Sequence, residues 1–161
     1  MRYKVNIQNP NNFENIPNQF LIQRYVNTTL EDLKDSAELT IRIVAIDEIQ
    51  TINKQFRQKD KPTNVLSFPF ELPSSVQQTL DYPFLGDIII CHQVVCQEAQ
   101  EQNKTSEAHY AHLIVHGILH LLGYDHIEEQ DAEIMEPLEI NLLSKLGFDN
   151  PYEPIDDPNH S

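Results

Sequence analysis

The chain predicts an α+β fold: a mixed sheet of about four strands packed with about five helices. Glu38–Ile46 alternates apolar and polar residues with a period of two, as a strand with one buried face does. Gly86–Cys91 is instead an almost continuous apolar run, as a strand buried on both faces is. Two long stretches, 106–122 and 128–146, repeat their apolar residues at helical spacing.

The other elements fall in order around these. Tyr3–Gln8 alternates and reads as a strand, and Asn9–Asn12 as a turn. From Pro17 to about Leu33, Phe20, Leu21, Tyr25, Val26 and Leu30 recur at helical spacing, with Pro17 suited to the first turn. Asp47 is expected to cap a short helix that runs to about Phe56. Asn64–Glu71 reads as a strand, and Pro69 assigns it to a sheet edge. Residues 72–84 form a Pro/Ser/Gln loop, and a helix follows from His92 to about Asn103. Ser106 is the expected cap of the next helix. The last helix should turn Ile134, Met135, Leu138, Leu142 and Leu143 inward and stop at Gly147.

At 161 residues the chain has the length of one domain with a substantial core. Residues 1–149 are expected to form it, and the acidic stretch 150–161 to be a disordered tail. No apolar run approaches the roughly 18 residues of a membrane helix, and the N-terminus has no signal-peptide core. Cys91 and Cys96 match neither a zinc knuckle nor a redox CxxC. The expectation is a cytoplasmic protein with reduced core thiols and no membrane contact.

The formal charge is -14, unevenly distributed: residues 1–80 carry nine basic and nine acidic residues, and residues 81–161 carry two and sixteen. Lys54, Arg57, Lys59 and Lys61 cluster within eight positions. A local basic patch on an acidic body can hold a polyanion while the remainder suppresses non-specific binding; scattered charge on a solvated loop is the plainer reading.

The chemistry concentrates in His116–His126. His116 and His120 are one helical turn apart and project from one face. Gly123 is a natural helix stop, after which the chain can bring His126 back towards them. Three imidazoles with an open fourth position suit a catalytic zinc, which makes hydroxide available near neutral pH. Three imidazoles also suit nickel, copper or iron, and zinc is the default. His-x-x-x-His-x-x-Gly-x-x-His has the spacing of the metzincin proteases, so the domain is expected to be zincin-like. Those proteases follow the first His with a Glu base; here the residue is Gly117, which moves no proton and is expected instead to let another backbone or a substrate approach the metal. Met135 fits the apolar stripe of the last helix better than a Met-turn. His112 continues the histidine row as a candidate substrate or outer contact, or as a structural residue. Asp125 can accept a ligand's second N–H, act as a base, or simply be a polar turn residue.

His116-Gly117-x-x-His120-Leu121-x-Gly123-Tyr124-Asp125-His126 resembles the signature of the YbeY family. Asn53-x-x-Phe56-Arg57-x-x-Asp60-Lys61-Pro62-Thr63-Asn64-Val65-Leu66-Ser67-Phe68-Pro69 agrees with a second block of that family, and Gly86-Asp87-Ile88 with a third. The resemblance implies a zinc-dependent, single-strand-specific endoribonuclease in ribosomal RNA processing, notably 16S 3′-end maturation, and in ribosome quality control. It implies that His116, His120 and His126 bind the zinc and that Arg57 is functionally important. Arg57 would then hold the scissile phosphate or its transition state, with Lys59 and Lys61 guiding the RNA backbone. The expected partners are single-stranded ribosomal RNA and the ribosome or its proteins; nothing fixes the oligomeric state. The alternatives are a ribosome-assembly factor with a mainly structural metal and, against Gly117, a zincin-like peptidase.

Overall fold

The computed structural model describes residues 2–70, 83–124 and 129–151, with backbone alone at 129–133. Four strands form one mixed sheet: β1 (Tyr3–Gln8), β2 (Ala37–Val44), β3 (Val65–Pro69) and β4 (Phe84–Cys91), in the order β1-β2-β4-β3. β1 pairs with β2 and β2 with β4 in parallel, whereas β3 runs antiparallel to β4. Among the described residues there are five helices: α1 (Gln19–Leu30), α2 (Ile46–Arg57), α3 (His92–Glu101), α4 (Ser106–Leu121) and α5 (Glu129–Lys145). Strand count, helix count and α+β class therefore match what the sequence predicts.

The two faces of the sheet carry different cores. Ala37, Leu39, Ile41 and Ile43 of β2, with Ile88 and Ile90 of β4, point to one side and meet α1, α4 and α5 through Tyr25, Val26, Ile114, Ile118, Met135 and Leu142. The alternate residues Val44, Ile89 and Cys91 point to the other side, where Ile49 of α2 and Leu66 of β3 join them. Beside α2 the β1–β2 half of this second face is polar. Asn6 donates to Glu38, and Arg42 donates to both Gln8 and Glu48.

Pro69 does lie on an edge strand. The N–H of Phe70 donates to Leu85 and that of Cys91 to Asn64. Even-numbered residues of this segment therefore face β4, and Pro69 sits where its missing N–H would point away from the sheet.

Three helix starts and one helix face differ from expectation. Pro17 precedes α1, whose cap is Asn18, with its side chain accepting from Leu21 N. Ala45, with no side-chain bond, stands at the cap of α2; the N–H of Ile46 donates to Gln93 instead, and Asp47 lies within the first turn. Thr105, not Ser106, caps α4 by accepting from Ala108 N. Ile134 of α5 is 59% exposed, whereas Met135, Leu142 and Leu143 are buried, so the inward stripe is narrower than its period implies. Glu71 of the expected strand, residues 72–82 of the expected loop and 152–161 of the expected tail lie outside the described residues.

Candidate metal centre

α4 is enclosed on nearly every side. From His109 to Leu121 every residue is buried except His112, His116 and His120, which form one partly open line down the helix. The apolar sequence explains the enclosure, since a helix apolar all round can only be a core helix. Histidine at every fourth position keeps one line polar.

Gly117 lies on the side turned to the sheet. A β-carbon there would stand 3.0–3.2 Å from three carbons of Ile88. The residue that replaces the protease glutamate thus lets α4 seat closely on β4, and the close approach is to a side chain of the sheet. Gly86 serves the neighbouring contact, where a β-carbon would run into the Phe68 carbonyl of β3 and stand 2.9 Å from Leu121. β4, β3 and the end of α4 are therefore locked together at small residues.

α4 ends in a Schellman turn. Tyr124 N donates to Leu119 O and Gly123 N to His120 O, both at 3.0 Å. Gly123 has φ +103°, which a side chain would disfavour. The chain leaves the helix after Leu121, one residue past His120. His126 and Asp125 lie outside the described residues.

One residue of the centre has no counterpart in the sequence reading. Glu139 of α5 is 0% exposed and receives two histidines. His116 Nδ1 lies 2.7 Å from Oε1, and His112 Nε2 lies 3.2 Å from Oε2. His116 Nε2 in turn lies 3.0 Å from His120 Nε2. Ligand atoms of His112, His116 and Glu139 fall within 4.8 Å of one another, a group able to hold a metal ion. A carboxylate that accepts a hydrogen bond from Nδ1–H of His116 fixes that ring's tautomer and leaves its Nε2 lone pair towards His120. The signal for Glu139 was present: it lies one turn from both Met135 and Leu143, an acid on the buried stripe of a helix.

Burial governs the remaining histidines. It pulls His112 below the usual histidine range, against the opposing effect of Glu139. It does the same to His109, which the sequence left without a role. His109 Nε2 lies 2.8 Å from Glu98, which also accepts from Asn64, so the start of β3 is tied to α3 and α4. Cys91 and Cys96 are free thiols whose pKa burial raises.

Arg57 is the last residue of α2 and is exposed. Its Nη2 donates to the Ser67 carbonyl at 3.0 Å, on the edge strand that packs against α4. Gln58 turns the chain in the left-handed conformation, φ 61°. Asn53, buried in α2, donates to Lys61 O, and Gln50 donates to Asp60, so the loop bearing exposed Lys59 and Lys61 is anchored to the helix before it. The structure thus brings His112 and His116 onto Glu139, with His120 against His116, and anchors the loop of Lys59 and Lys61 to α2, which ends in Arg57 against the edge strand.

A family model described as endoribonuclease YbeY matches residues 5–147, a span that takes in β2, β3, β4, most of β1, all five helices named above and the histidine line. Among solved structures, the solution structure of TM1509 from Thermotoga maritima is similar, with a TM-score of 0.61 and 22% sequence identity over 94% of this chain and 99% of that one. At that identity the likeness is one of fold.

Proposed function

The chain belongs to the YbeY family of endoribonucleases, and from that premise we propose that it is a zinc-dependent, single-strand-specific endoribonuclease of ribosomal RNA. Its place is in the cytoplasm, in 3′-end maturation of 16S rRNA and in ribosome quality control, in contact with the ribosome or its proteins. Residues 1–149 are the hydrolase domain and 150–161 an acidic tail.

The observation that most supports a metal is the pairing of His116 and His120. Two nitrogens bound to a tetrahedral zinc at about 2.0–2.1 Å lie about 3.3 Å apart, and these Nε2 atoms are 3.0 Å apart. His116, His120 and His126 are the ligands, His126 completing the set after the Gly123 turn. Glu139 holds His116 by its far nitrogen, and His112 holds the second oxygen of Glu139. Asp125, beside His126 in sequence, accepts that ligand's other N–H. When bound, the metal supplies Lewis acidity to a phosphate oxygen and to the attacking group.

Arg57 carries the protein's own share of the chemistry. One N–H is fixed on Ser67, which orients the planar fork and leaves its other donors for phosphate oxygens. Charge grows on those oxygens as the P–O bond breaks, so a guanidinium held in place beforehand stabilises the transition state more than the ground state. Lys59 and Lys61 guide the backbone on either side. Gly117, seated closely over Ile88, supplies no base of the peptidase kind.

The test is cleavage of single-stranded and duplex ribosomal RNA fragments by purified protein, with and without chelator, beside a His116→Ala preparation. Cleavage of the single strand that chelator abolishes and zinc restores is expected from the wild type alone. Equal cleavage by His116→Ala would remove the enzyme claim. Intact RNA with chelator-induced unfolding would favour an assembly factor with a structural metal.

A further inference from the structure

The basic segment at the sheet edge is interleaved with aromatic rings. Among the described residues, Phe56 is 61% and Phe70 45% exposed. Phe56 stands edge-on to Phe68 with centroids 5.5 Å apart, and Phe70 stands edge-on to Phe84 at 5.3 Å. Arg57 Cζ lies 5.4 Å from the centre of the Phe68 ring, within cation–π range. Phe68 and Phe70 alternate onto the same face of the strand, about 6.8 Å apart along it. Phe68 packs on the core beneath α2, the helix that ends in Phe56 and Arg57.

The core does not account for these exposed rings. The fully buried residues of α2 are Ile49 and Asn53, and Phe56 leaves most of its surface in water one residue before a fixed guanidinium. Lys54, Lys59 and Lys61 are exposed around it, on a chain whose net charge is -14. Concentrated positive charge on an acidic protein selects a polyanion. Exposed rings beside it select a polyanion that also offers flat apolar faces.

We infer that Phe56, Phe68 and Phe70, with Arg57, form a stacking platform for the unpaired bases of single-stranded RNA, while Lys54, Lys59 and Lys61 take its phosphates. The inference rests on the RNA reading above and adds to it a base contact separate from the metal centre. Every base has a π-face, so the platform is tolerant of sequence. Bases in a duplex keep those faces covered by their neighbours, so the platform distinguishes strands by whether their bases are free to splay.

The test is fluorescence anisotropy with the full chain at fixed salt, using oligo(A) of about ten nucleotides and an abasic strand of the same length and charge. Wild type should bind oligo(A) more tightly than the abasic strand. Phe56→Ala should weaken oligo(A) binding about five- to a hundredfold and leave the abasic strand unaffected. Phe56→Leu, which keeps apolar bulk without a π-face, should behave like Phe56→Ala, and Phe56→Trp should retain binding. Zinc content per chain, measured on each preparation, checks that the fold is intact. Equal affinity for the two strands, or oligo(A) binding unchanged in Phe56→Ala, overturns the platform. Wild-type cleavage is read in parallel. Metal-dependent cleavage without base preference removes the platform alone; base preference without cleavage removes the nuclease reading alone; no binding of either strand overturns both.

Discussion

The two faces of the sheet place their polar groups by opposite means. On one face α4 is packed on almost every side, and His116 and His120 are held by what lies behind them: a buried carboxylate, a glycine seated on Ile88, and a Schellman turn. On the other, α2 covers only part of the sheet, and Arg57 is held by one carbonyl and one ring at the surface. Close packing suits the proposed metal centre, whose ligands would have to keep tenths of an ångström, whereas an exposed fork and rings suit the long polymer proposed as substrate, which arrives in many conformations.

The contrast can be broken from the surface side first. Arg57→Ala should lower the single-turnover rate of RNA cleavage by about 10²–10³-fold. Its stability should stay within about 0.5 kcal/mol of wild type in urea melts, because the side chain is exposed. A large loss of stability would show Arg57 to be part of the scaffold. On the packed side, Glu139→Gln keeps the shape and removes the charge. Zinc affinity should fall about 10–100-fold in competition with a chromophoric chelator, and unchanged affinity would mean that Glu139 does not orient His116.

Gly117→Ala probes packing without touching a ligand. Overfilling the gap at Ile88 should cost about 1–3 kcal/mol in urea melts, more than the roughly 0.5–1 kcal/mol that alanine returns to a helix. Ile88→Val in the same chain should restore part of the loss, and a more stable Gly117→Ala would refute the tight seating. The smallest effect expected is on pH dependence. Burial holds His109 below the ordinary histidine value of about 6.5, so the unfolded chain takes up the proton first. Its stabilising contribution is present above that value and is lost as pH falls towards the folded value. Melting temperature should therefore drop more steeply between about pH 7.5 and 5.5 in wild type than in His109→Gln.

What could be read from the sequence divides along the same line. Alternation in β2, the apolar run of β4 and the helical period of α4 each follow from burial of one residue's own neighbours, so those elements were legible. So was the edge position of β3, because Pro69 lacks the donor an inner strand needs. Contacts between distant segments were not. Glu139 meets His116 across 23 positions, and Ile88 meets Gly117 across 29. Glutamate is common on helices and glycine has several uses, so neither residue type names its partner. The caps failed for a local reason: Asp47 and Ser106 are good capping types, but Gln93 serves the start of α2 and Thr105 lies one residue earlier.

The single open line on α4 also bears on how freely this segment can change. Between His109 and Leu121 three sides of the helix admit only residues that fit a filled interior. The fourth carries the three histidines of the proposed centre, and Gly123 must then allow a left-handed turn. In a saturation library scored for folded, active protein, this stretch is where the fewest alternatives survive, while the polar outer face of β1 and β2 accepts many.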